Sequence, residues 1–60
     1  MVQIEDTAGD RVQLLPSQRG TVMGVFHAGA RRMVMDFTPE RARELAAALV
    51  KVADDVEARG

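Results

Sequence analysis

Sixty residues and 6.5 kDa allow one domain, spanning 1–60, with a small core. A chain of this size buries only about 60% of the surface its unfolded form exposes. There is no cysteine, which excludes a disulfide framework and a thiolate metal site. A hydrophobic content of 47% with 28% charged residues is that of a globular chain, and a net charge of −1 gives no strong field for nucleic acid or an anionic membrane.

Val2 to Leu15 reads as a β-hairpin. Val2 and Ile4 alternate with Gln3 and Glu5, and Val12 and Leu14 alternate with Arg11 and Gln13. A three-residue loop, Thr7 to Gly9, places glycine where the left-handed conformation is needed. The register that follows sets Ile4 opposite Val12, Val2 opposite Leu14 and Glu5 opposite Arg11, so one face is wholly apolar. It also sets Asp6 against Asp10, a like-charge conflict that a longer loop with Asp6 turned onto its own backbone would relieve.

Leu15 to Gly20 reads as a connection, because Pro16 cannot donate to a sheet ladder and Gly20 ends the segment. Thr21 to Asp36 then reads as a second hairpin. A type II′ turn wants glycine at its first central position, which selects Gly29-Ala30. Phe26 then faces Met33, Gly24 faces Met35 and Val22 faces Phe37. The other face receives Met23, Val25 and Val34 among His27, Arg32 and Asp36.

Thr38-Pro39-Glu40 is a helix start: a hydroxyl cap, proline at the first helical position and an acid at the positive end of the dipole. Ala42, Leu45, Leu49, Val52 and Val56 recur at spacings of three and four and form the apolar stripe. The expected fold class is α+β: a four-stranded antiparallel meander of two hairpins followed by one long C-terminal helix, ββββα. The helix, about 30 Å long against a strand of about 23 Å, is expected to lie across one sheet face, either diagonally or with its end overhanging, with Leu45 and Leu49 near Phe26, Met33 and Phe37.

The segment from Phe37 to Leu49, with its TPE-x-A-x-x-LA-x-x-L pattern, resembles the closing helix of short, uncharacterised β-meander-plus-helix proteins of high-GC bacteria and their phages. The resemblance implies strands followed by a capped helix and a small bacterial or phage accessory protein. It carries over no site residue.

Little in the chain points to site chemistry. His27 is the only histidine and lacks the companions a metal site or general base requires. Asp54 and Asp55 are consecutive and diverge by about 100° on a helix. No phosphate-loop glycine pattern is present. No catalytic, cofactor or metal residue is therefore assigned, no cofactor is expected, and the expectation is a protein that is not an enzyme. The longest apolar run, Leu45 to Val50, is far short of the roughly 20 residues that cross a bilayer. With acidic Glu5 and Asp6 near an N-terminus that lacks a basic region, a cytoplasmic location and no membrane partner are expected.

One helix covers one face of a sheet. The leftover face points to self-association, with Met23, Val25 and Val34 as candidate interface residues and Val52 and Val56 at the helix end as a second patch. The expected function is a small homo-oligomeric protein-interaction module, a homodimer that also binds another protein. The alternative is a nucleic-acid-binding regulator using Arg19 and the Arg31-Arg32 turn. Charge balance and the lack of exposed aromatic residues weigh against nucleic acid as a partner.

Overall fold

The computed structural model describes Met1–Gly60. Four strands, β1 (Val2–Glu5), β2 (Arg11–Pro16), β3 (Val22–Ala28) and β4 (Arg31–Phe37), form one antiparallel sheet in chain order, and α1 (Pro39–Arg59) follows. The fold is ββββα, an α+β architecture.

The first hairpin has the expected register: Val2 pairs with Leu14, Ile4 with Val12 and Glu5 with Arg11. Its three-residue loop carries Gly9 at φ 87°. The like-charge conflict at its base is resolved without lengthening the loop. Asp6 Oδ1 accepts from the Ala8 and Asp10 N–H groups at 2.8 and 2.9 Å, so its charge is held by its own backbone. The last hairpin closes through Ala28 opposite Arg31, with Gly29 at φ 60°. No non-glycine residue has a positive φ, so Ala30 keeps the ordinary sign that a type II′ turn requires.

The middle connection differs from expectation. β2 runs on through Pro16, which pairs with Val22, and Ser17 to Thr21 is a third tight turn. It repeats the first: Ser17 N–H donates to the Thr21 carbonyl at 2.8 Å, as Asp6 N–H does to Asp10. Ser17 Oγ accepts from the N–H groups of Arg19 and Thr21, and Gly20 takes φ 79°. Because Ser17 and Thr21 are a hydrogen-bonded pair, alternation turns the Pro16 nitrogen away from β3. It faces the β1 side, where that strand has not yet begun, so the missing donor leaves no gap in the ladder.

The helix begins as expected. Thr38 Oγ1 accepts from Arg41 N–H at 3.1 Å, Pro39 occupies the first turn, and Gly60 N–H returns to the Glu57 carbonyl. Its end overhangs the sheet, one of the two placements expected, while its contact with the sheet differs from expectation. Ala42, Leu45, Ala46 and Leu49 line an apolar groove with the Leu14, Val22 and Phe37 corner of the sheet. Leu49 is 63% exposed at the edge of that corner, and beyond it the stripe is uncovered, with Val52 and Val56 58% and 62% exposed. Phe26 and Met33 lie outside the helix contact.

The result is an open arrangement rather than a closed core. Gly24 is the single buried residue, and no hydrophobic side chain is fully enclosed. The radius of gyration is 13.1 Å, where about 10.4 Å is usual for this length. The exposed surface is 5138 Å², against about 3,800 Å² for a compact monomer of this mass.

Candidate interaction surface

The two sheet faces differ in kind. Strand alternation and the observed register put Val2, Ile4, Val12, Leu14, Val22, Gly24, Phe26, Met33, Met35 and Phe37 on the face that meets the helix. Within the strands only Arg31, at the turn end of β4, adds a charge to this face, while Asp6 and Asp10 of the first loop border Ile4, Val12 and Phe26. Gly24 earns its place through Phe26, whose ring lies where a side chain would be: a Cβ on Gly24 would stand 3.1 Å from Phe26 Cε1. The ring thus folds over the middle of β3 and smooths the apolar surface. Val2, Ile4, Met33 and Met35 remain 56%, 54%, 58% and 42% exposed.

The opposite face is a polar network around a small apolar centre. Gln13 Nε2 donates to Gln3 Oε1 at 3.3 Å, and Gln13 Oε1 lies 3.0 Å from His27 Nε2. Arg19 forms an ion pair with Asp36 at 2.7 Å, and Thr21 Oγ1 donates to the other oxygen of Asp36. Met23 and Val25 are half-buried among these groups and Val34 is exposed. The register places Val25 beside Val34, and Met23 lies next to Asp36 on the adjoining rung. The candidate patch of Met23, Val25 and Val34 is therefore contiguous. Val52 and Val56 lie on the separate, uncovered end of the helix stripe.

The basic candidates do not act as one group. Arg19 is held by Asp36 on the polar face. Arg31 and Arg32 are neighbours in β4 and leave opposite sides of the sheet. His27 is engaged by Gln13, with no carboxylate beside it. No three His, Asp or Glu side chains converge as metal ligands. No helix is long and apolar enough to cross a membrane.

The sequence reading set the helix over Phe26, Met33 and Phe37, so the exposure of Met33 on one surface with Ile4 and Met35 was not foreseen. The available signal was coverage. A helix with side chains is about 10–12 Å across, while four strands at 4.7–4.9 Å spacing span about 19 Å. No family model, curated protein or solved structure matches the chain. Its own geometry is what bears on function.

Proposed function

We propose that this chain is a small, non-enzymatic, homo-oligomeric protein-interaction module, a bacterial or phage accessory or regulatory protein whose folded unit is a homodimer. One observation carries the reading. The single chain exposes 5138 Å², about 1,300 Å² more than a compact monomer of its mass, and Val2, Ile4, Met33, Leu49, Val52 and Val56 are each more than half exposed. Exposed apolar patches on soluble monomers are normally a few hundred Å², and larger ones mark interaction surfaces. Once self-association covers the apolar face, the polar face with Arg32 is what remains for another protein.

Thermal unfolding at several protein concentrations tests this. Mass action makes the midpoint of a dimer rise with concentration, whereas a monomer's stays fixed. A midpoint independent of concentration from low micromolar to high micromolar contradicts the reading.

A further inference from the structure

We infer that two copies of this chain exchange helix ends, so that Val52 and Val56 of each lie on the Val2, Ile4 and Met33 region of the other's sheet. The inference rests on the self-association proposed above and names the surfaces that carry it.

One chain holds both halves of the contact. The helix offers a convex stripe that reaches its own sheet only as far as Leu49, and Val52 and Val56 stand 58% and 62% exposed. The sheet offers a broad apolar face whose covered corner is Leu14, Val22 and Phe37, while Val2, Ile4 and Met33 stand more than half exposed. The surplus stripe and the surplus sheet are of the same apolar character. A two-fold axis uses each of them twice and closes at two chains, leaving no free copy of either surface.

The area agrees. An excess of about 1,300 Å² on each chain, measured against the compact-monomer expectation, makes about 2,600 Å² for the pair. That lies within the 2,000–5,000 Å² typical of obligate homodimers, whose interfaces resemble a domain core cut in half. At the Ile4 end the bordering Asp6 and Asp10 carboxylates are held by the Ala8, Asp10 and Gly29 N–H groups, and at the Met33 end the charges suit. Asp55 follows Val52 by three residues and flanks the stripe, and Arg31 flanks Met33 on the sheet. The chain's two ion pairs, Arg19–Asp36 and Arg41–Glu44, leave both of these free.

The polar face is the weaker candidate for a second copy. Its hydrogen-bond network of Gln3, Gln13, His27, Thr21 and Asp36 would have to be desolvated around a four-residue apolar centre of Leu15, Met23, Val25 and Val34.

The test uses the unaltered protein. Isotope-labelled and unlabelled chains are refolded together, and NOEs between the two kinds of chain are recorded. The expected result is intermolecular NOEs from the Val52 and Val56 methyls to Ile4 and Met33. Intermolecular NOEs confined to Met23, Val25 and Val34, or running only from helix to helix, overturn the exchange and keep the dimer. An assembly that contains only a different protein, with a monomeric chain on its own, overturns both. As a second arm, Val56→Asp should weaken self-association about 10- to 100-fold, since each 1.4 kcal/mol is a factor of ten. Val56 is exposed in the single chain, so its replacement leaves that chain's own packing in place. Val34→Asp, on the polar face, should change association by less than about threefold; the reverse ranking refutes the exchange.

Discussion

Asp10 Oδ1 accepts a hydrogen bond from the Gly29 N–H at 3.0 Å, which ties the base of the first loop to the last turn across the sheet. With Asp6 holding its own loop N–H groups, the two aspartates at the loop base point to different partners and their facing charges are separated. Replacing Asp10 with alanine removes one charge-assisted bond and should cost about 0.5–1.5 kcal/mol, measured by urea unfolding. Asp10→Asn keeps an acceptor and should cost less than half of that. Equal losses in the two variants would show that the charge, not the bond to Gly29, matters.

The first and middle turns share one geometry, so they should respond alike to the same change. Gly9 and Gly20 sit at φ 87° and 79° with open space where a Cβ would go. The cost of a side chain there is conformational alone. Gly9→Val and Gly20→Val should each destabilise by about 1–2 kcal/mol. A neutral Gly20→Val would mean that Ser17 to Thr21 is not the tight turn described.

Gly24 is constrained by space instead. Its φ is ordinary, and the Phe26 ring edge stands 3.1 Å from the position of a Cβ. Gly24→Ala must displace that ring and should cost about 1–3 kcal/mol, the range for overpacking. In the Phe26→Leu background the penalty of Gly24→Ala should shrink. Additive penalties in the double variant would place the conflict elsewhere.

Thr38 caps the helix through Arg41 N–H. Thr38→Ala should cost about 1 kcal/mol, and Thr38→Ser should be close to neutral. Far-UV circular dichroism during thermal unfolding reads both. A Thr38→Ala protein as stable as the wild type would show that Pro39 alone sets the start.

Much of the fold was legible in the residues because local rules agreed with one another. Gly9 and Gly29 each select one turn, and each turn brings apolar residues into register, so the two outer hairpins follow with their pairings. The middle turn was missed because Pro16 drew attention as a breaker. Its place at a strand end, on the side where β1 is absent, depends on neighbours that no local pattern reveals. The Ser17-x-x-Gly20 spacing repeats Asp6-x-x-Gly9 and was the signal to read. The helix stripe was legible as well, but not what it covers. Periodicity identifies the side of α1 that seeks apolar company; it does not say whether Val52 and Val56 find it on their own sheet or on another chain's.

The mass of the unaltered protein in solution tests the central claim, that this chain completes its core only with a second copy. Sedimentation equilibrium at high micromolar concentration should return twice the 6.5 kDa chain mass. A protein that remains at 6.5 kDa, folded and unassociated, contradicts the account.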